Sequence, residues 1–286
     1  GVALASPPLI GFVLFGLVPL LFSVVLSVSD LKGFLVEDMA FLGFGHLFDN
    51  YVFLMKDGLF WKSLGNTFYA ALSLPLSMAI ALVLSVLLNM QLKGRTAFRT
   101  IFFLPYVCSI VALTSMWRIV LNQNYGTLNQ FLGLFGIGKV NWLGDPRYFM
   151  PAMILMGVWS SLGFNIILFS AALTNVSPSY YEAAKMDGAG KFQQFWHITV
   201  PSISPTTFYL LVMGMITALQ DFTRFQAIGF GTTPSNAGLT IVFYLYNMAF
   251  KNNFTYGMGL ASACSWIVAL LILAITVLNF KVSKRW

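Results

Sequence analysis

Six stretches of this sequence run for about twenty residues or more with almost no charged side chain, and nothing else in it restricts the fold so strongly. They cover residues 8–27, 66–89, 102–121, 149–173, 206–228 and 260–280. About 20 apolar residues in a helix cross the hydrocarbon core of a bilayer, and a helix satisfies its backbone polar groups within its own segment. Arg118, near the far end of the third stretch, is placed to snorkel to the interface. With 58% hydrophobic and 9% charged residues, the chain lies far from the quarter or so of charge that a soluble domain carries. The expected fold is an all-α polytopic membrane protein with six transmembrane helices, a single domain over residues 1–286.

Basic residues orient the spans. Lys93, Arg95 and Arg99 follow the second span, Lys185 and Lys191 follow the fourth, and Lys281, Lys284 and Arg285 follow the sixth. The opposite connections hold Lys32, Lys56, Lys62, Lys139, Arg147 and Lys251 in longer, more acidic sequence, so the first set is expected on the cytoplasmic side. The net charge of +7 is accounted for by residues flanking spans beside an anionic leaflet, and no nucleic-acid surface is expected. Cys108 and Cys264 fall within spans and read as small buried apolar residues rather than a disulfide. His46 and His197 fall in loops without partners for a zinc site or a catalytic triad, so neither a metal nor a catalytic residue is expected. The chain starts at Gly1, almost inside the first span, which points to an N-terminal tail beyond it; no leader with a cleavage site is visible. The outer connections at 29–62, 122–147 and 229–259 mix charges with aromatics, as short interfacial helices or a surface for a soluble protein would.

Between the fourth and fifth spans lies a short polar island, residues 178–205. Ser177 is placed to cap a helix starting at Pro178 and running to about Met186, where Asp187-Gly188-Ala189-Gly190 forces a turn. A second short helix is expected from about Lys191 to Thr199, with Pro201 and Pro205 marking the start of the next span. Glu182, Ala183, Ala184, Asp187, Gly188, Ala189, Phe195, Ile198 and Pro201 stand at the spacing E-A-A, two residues, D-G-A, then F, I and P. In this set the chain resembles the permease subunits of binding-protein-dependent ABC importers. The resemblance implies the type I importer fold, with the island as a cytoplasmic hairpin of coupling helices that docks on an ATPase. Tyr181, Met186 and Phe195 would supply apolar contact there and Glu182 would meet a basic side chain, alongside Ala183, Ala184, Asp187, Gly188, Ala189 and Pro201.

Gly94-Arg95, Phe98 to Tyr106, Trp117, Asn124 to Asn129, Tyr244-Leu245-Tyr246, Ala249-Phe250 and Tyr256-Gly257 look like the carbohydrate group of these permeases, the maltose, glycerol-phosphate and multiple-sugar type. Where relatives tend to carry T-x-G-G-P after the fifth span, Gly229 to Pro234 departs from the pattern. The resemblance implies the A-type half of a permease heterodimer in the plasma (inner) membrane, multi-pass, with both termini cytoplasmic. Its implied partners are a second homologous permease, two ATP-binding subunits, an extracytoplasmic solute-binding protein, membrane lipid and a sugar or oligosaccharide. No phosphate loop G-x-x-x-x-G-K-[ST] occurs, so no cofactor is expected on this chain, and ATP and Mg belong to the partner ATPases. The chain is therefore read as a transport subunit rather than an enzyme.

In the resembling permeases the fourth and fifth spans line the cavity. The corresponding faces here carry Ser160, Ser161, Phe164 and Asn165, then Thr217, Gln220, Asp221 and Arg224; Ser161, Phe164 and Asn165 stand at i, i+3, i+4 spacing, and the second set repeats it. Polar groups beside aromatic rings suit a sugar, with its hydroxyls and apolar faces. Asp221 and Arg224 either line the path or pair with each other as a structural tie. Alternatives are an importer of glycerol phosphate or another polar solute, and an ATP-independent secondary transporter. The last would need no docking hairpin and would usually carry an inverted repeat or ionisable residues for proton coupling. An intramembrane hydrolase would need a second catalytic group at the depth of Asp221.

Overall fold

The structure, a computed structural model, describes residues 2–31, 39–43, 45–89, 95–229, 233–251 and 257–283, and these are almost wholly helical. The helices are α1 (Val2–Phe12), α2 (Val18–Ser27), α3 (Asp49–Lys56), α4 (Gly58–Ala71), α5 (Ser73–Asn89), α6 (Arg95–Val107), α7 (Ile110–Val120) and α8 (Thr127–Gly133). They continue with α9 (Pro146–Thr174), α10 (Pro178–Met186), α11 (Lys191–Gln194), α12 (Val200–Ser202), α13 (Ser204–Leu219), α14 (Thr223–Ile228), α15 (Ile241–Phe250) and α16 (Gly257–Ser283). Lys32, Lys93, Gly94, residues 230–232, Tyr256, Lys284 and Arg285 lie outside the described residues.

Four runs are long and apolar enough to cross a bilayer: Ser6–Ser27, Gly58–Asn89, Pro146–Thr174 and Gly257–Lys281. The second begins eight residues before its expected start at Asn66, so Phe60, Trp61 and Lys62 belong to α4 and not to the outer connection. The other two expected spans are bent. Ala97–Val107 meets Ile110–Val120 at 104°, and Lys191–Ser202 meets Ser204–Leu219 at 63°.

The 63° bend falls at residue 203, where Pro201 and Pro205 mark the start of the expected span, whereas the 104° corner interrupts the expected span 102–121 and the fifth span ends short of residue 228; backbone chemistry accounts for both departures. Pro105 has no N–H to bond the carbonyl one turn back, and Ser109 is extended (φ −57°, ψ 134°), so α6 cannot run on into α7. Cys108 sits at this corner and is exposed, contrary to the buried position expected; Cys264 is buried. The expected span 206–228 stops at Leu219. The N–H groups of Gln220 and Asp221 bond three residues back, to Thr217 at 3.2 Å and Ala218 at 3.4 Å, which closes the helix before α14 begins at Thr223.

The chain divides into two compact units, Gly1–Gly65 with Thr240–Ile275 and Asn66–Leu239 with Thr276–Trp286. In the first, Asn50 Nδ2 donates to the carbonyls of Ser27 and Ser29, each at 2.9 Å, and Tyr51 donates its hydroxyl to Ser27 Oγ at 2.9 Å. These bonds satisfy the open carbonyl end of α2. In the same unit Tyr244 donates to the Asp57 carboxylate, whose other oxygen accepts the Leu59 N–H.

The second unit is built on α5 packed along α9. Ser73, Ser77, Ala81 and Ser85 form a stripe of small residues four apart on α5, all of them buried. Such a stripe lets two backbones approach closely where lipid offers no hydrophobic drive for association. Ser85 Oγ donates across the contact to the Ile166 carbonyl at 3.1 Å, and Met78, Leu88, Leu162, Ile166 and Phe169 fill the space around it. Asp145 starts α9 by accepting the Arg147 N–H at 2.9 Å, with Pro146 at the first helical position. Its side-chain and backbone hydrogen bonds from Arg147 hold the Asp145 carboxyl below the usual carboxylate range.

Helix α6 crosses α9 at Gly163, where an added Cβ would stand 2.3 Å from the Phe102 carbonyl oxygen and 2.7 Å from Phe103 Cα. Both obstacles are backbone. Gly163→Ala is therefore expected to push α6 off α9 at a cost of about 1–3 kcal/mol. Thermal unfolding of the detergent-solubilised protein measures this, and an unchanged midpoint would contradict so close a crossing.

Candidate functional site

The polar island folds into a closed helical hairpin. Ser177 accepts the Ser179 N–H, and Pro178 takes the first position of α10 as expected. At the other end the Gly188 N–H bonds the Lys185 carbonyl at 3.1 Å and the Ala189 N–H bonds the Ala184 carbonyl at 2.8 Å. This pair is a Schellman motif, which requires a left-handed residue after the helix, and Gly188 supplies it at φ +80°. The Gly190 N–H then donates to Gln193 Oε1 at 3.0 Å and opens α11.

Two further bonds lock the helices together. Gln194 Nε2 donates to the Ala189 carbonyl at 2.8 Å, and the Tyr181 hydroxyl lies 3.0 Å from Thr199 Oγ1. Gln194 and Thr199 are buried. His197, which sits on the helical turn 195–199 rather than in a loop, donates Nδ1–H to the Gln193 carbonyl at 3.0 Å. A cleft of about 390 Å³ opens between the two helices, bordered by Ala184, Asp187, Gln193, His197 and Ile198.

The side chains available to a partner differ in part from those the sequence pointed to. Glu182, Ala183, Asp187, Gly188 and Pro201 are exposed, Ala184 and Ala189 half-buried, and Met186 is 89% exposed. Tyr181 is half-buried and ties the hairpin shut, and Phe195 is half-buried edge-on to Trp196 at 5.3 Å. Tyr180, Phe192 and Trp196 are exposed instead, three aromatic side chains that the motif spacing passes over. Phe192 and Trp196 stand four apart on one helical face, a signal that helical periodicity carries. Tyr181→Phe is expected to weaken the hairpin by about 0.5–1.5 kcal/mol, the worth of one such bond. Amide hydrogen exchange over residues 178–199 should rise about threefold to tenfold; unchanged exchange would contradict the tie.

The expected solute-path residues separate into two groups. Ser161 Oγ lies 2.7 Å from Ser77 Oγ, and Asn165 Nδ2 donates to the same oxygen at 3.0 Å, so Ser161 and Asn165 join α9 to α5. Ser77 completes this polar cluster and was not singled out by the sequence. Arg224 is buried, forms an ion pair with Asp221 and lies against Gly157, where a Cβ would stand 2.1 Å from Nη1. The structural tie between Asp221 and Arg224 is thus present. Ser160, Phe164 and Asp221 are partly exposed, and Thr217 and Gln220 are exposed. Phe164 stacks on Tyr106 of α6, with ring centroids 4.9 Å apart and planes at 17°.

The hairpin, α9 and both broken spans fall inside residues 73–286, which match the family described as binding-protein-dependent transport system inner membrane component. The chain belongs to this family. Like the rest of it, the protein is an integral inner membrane permease subunit, a transport component rather than an enzyme. As an inner membrane component it is similar to the probable ABC transporter permease protein YesP of Bacillus subtilis, 35% identical over 100% of this chain and 91% of that protein. The lactose transport system permease protein LacF of Rhizobium radiobacter is 32% identical over 95% of this chain and 89% of its own length. A bacterial ABC transporter involved in the import of the acidic polysaccharide alginate contains a chain of the same fold, with TM-score 0.83 and 27% identity over 99% of this chain and 94% of that one. A chain of a bacterial alginate ABC transporter in complex with alginate pentasaccharide-bound periplasmic protein matches at TM-score 0.83 and 26% identity, over 99% of this chain and 93% of that one. These likenesses cover 95% or more of this chain and not the motif alone.

Proposed function

We propose that this chain is one permease half of an ATP-driven importer for a sugar or oligosaccharide delivered by an extracytoplasmic binding protein. The observation that carries the proposal is the closed hairpin of α10 and α11, which exposes Glu182, Ala183, Met186 and Trp196 on a rigid frame within a family of ABC importer permeases. A second, homologous permease completes the channel, and two ATP-binding subunits beneath it hold ATP and Mg. The permease domain spans residues 1–286, with residues 178–205 as its docking loop and both termini on the cytoplasmic side. The names of related proteins, for lactose and for alginate, support a carbohydrate as solute.

Mechanically, ATP binding draws the two ATPases together, and a hairpin seated in a groove on one of them must follow. The force leaves through Ile203, buried at the 63° bend, into α13. Ser160, Phe164, Thr217 and Gln220 then remain as the solute-facing set, with Asp221 at the edge of it and Ser161, Asn165 and Arg224 holding the surrounding helices. The test is purification of the full complex, reconstituted with its binding protein. Uptake should require the ATPase subunits and survive collapse of the proton gradient; uptake that follows the gradient instead would refute the proposal.

A further inference from the structure

We propose that the last turn of α8 and the turn after it, residues 131–137, form a foot that inserts into the lipid leaflet on the side of the membrane opposite the hairpin. The side follows from topology, because α9 crosses the bilayer once and separates the foot from α10. The inference needs only that α7 and α9 span the membrane, and it stands apart from the nature of the solute.

The connection from α7 to α9 is built around one buried side chain. Asn129 Nδ2 donates to the carbonyls of Gln123 at 3.1 Å and Val140 at 2.8 Å, and its Oδ1 accepts the Trp142 indole N–H at 2.9 Å and the Val140 N–H at 3.3 Å. These bonds fix the connection from within. At the end of α8 the Gly136 N–H bonds the Gly133 carbonyl at 3.1 Å and the Ile137 N–H bonds the Leu132 carbonyl at 3.2 Å, a Schellman pair with Gly136 left-handed at φ +77°. The polar groups thus point inward on a rigid frame.

What points outward is apolar. No residue from Phe131 to Gly138 has a polar side chain, and Phe131, Leu134, Phe135 and Ile137 are all exposed, Leu134 at 80% and Phe135 at 69%. Phe131 and Phe135 meet edge to face with ring centroids 5.3 Å apart, which joins them into one surface. Water penalises such a surface and lipid does not.

Position and charge select lipid as the occupant. Helix α8 packs against α7, so the foot lies at the level where that span ends, and Trp142 against Tyr148 marks the same level with the aromatic pair typical of a membrane interface. Lys139 is exposed directly after the apolar tip, where its ammonium can reach lipid phosphates. Asp145, the one acid of this connection, is already held by Arg147. A soluble binding protein that must leave in every cycle fits this face poorly, since transient interfaces are no more apolar than ordinary protein surface. A permanent protein contact fits poorly as well, because its core would be depleted of charges such as Lys139.

The experiment uses the whole importer, with cysteine-free partner subunits and Cys108→Ser in this chain, in vesicles of phosphatidylethanolamine and phosphatidylglycerol. Nitroxide labels are placed at Leu134→Cys and, as a control, at Asn124→Cys, an exposed polar position in the same connection. The ratio of collisions with oxygen to collisions with a water-soluble nickel chelate should be about fivefold higher at 134 than at 124, since oxygen concentrates in lipid. Equal ratios would place the foot in water, and low rates with both reagents would place it under the second permease; either result overturns the proposal. In a second measurement, Leu134→Asp with Phe135→Asp should change the binding-protein concentration that half-saturates the ATPase by less than about twofold. A larger rise would assign the face to that protein and would likewise overturn the proposal.

Discussion

Gly188→Val is expected to cut ATP-driven uptake about tenfold while leaving the spans folded. The position has φ +80° and open space where a Cβ would go, so the penalty is conformational rather than steric. A left-handed backbone costs an L-residue about 1–2 kcal/mol, and a β-branched one more. Against that stand only a few bonds. The two Schellman bonds, the Gln194 to Ala189 bond and the Tyr181 to Thr199 contact hold the hairpin, each contributing about 1 kcal/mol. Valine escapes that strain by leaving the left-handed region, which breaks both Schellman bonds and removes about half of what holds the hairpin, enough to uncouple a lever that must move as one body. Gly188→Asn provides the control, because asparagine tolerates the left-handed region and should keep most of the uptake. If valine transports as well as glycine, the hairpin does not carry force. Complex yield must be measured beside uptake, since a fall in both would point to misassembly.

Arg224→Met is expected to destabilise the assembled protein by about 3–5 kcal/mol, the cost of stripping one partner from a buried ion pair. Arg224 is buried and the Asp221 side chain is 20% exposed, so the variant takes away the cation that faces this carboxylate at membrane depth. The double variant Asp221→Asn with Arg224→Met should recover at least half of the loss, because replacing both members removes the negative charge together with the cation that faced it. Fluorescence-detected thermal unfolding of the complex reads this directly. A single variant as stable as wild type would remove the structural tie and return both residues to the solute path. Gly157→Ala should resemble Arg224→Met in direction, since its methyl would occupy the site of the guanidinium.

Local rules made the hairpin legible from sequence. Ser177 before Pro178 fixes where α10 starts, and Gly188 fixes where it stops, because a cap and a left-handed turn depend on neighbours in the chain. The spans at 149–173 and 260–280 were equally readable, lying inside α9 and α16. Both breaks were not. A hydropathy pattern sums side chains, whereas the corner at Cys108 and Ser109 and the interruption at Gln220 to Phe222 are decisions of the backbone within unbroken apolar sequence. Pro105 was the visible clue to the first. Periodicity likewise put Ser161, Phe164 and Asn165 on one helical face, but it cannot say what that face meets. Ser77 took Ser161 and Asn165, and Tyr106 took Phe164.

The interruption after Leu219 gives α13 a break at each end, Ile203 at one and Gln220 to Phe222 at the other. Sixteen residues make a strut about 24 Å long. Were both breaks to act as hinges, such a strut would pass a push along its length but no twist to α14 and the α7 helix it packs against. Motion begun at one surface of the bilayer would then arrive at its middle as a simple displacement, and the corner that holds Tyr106 would widen or narrow without unwinding.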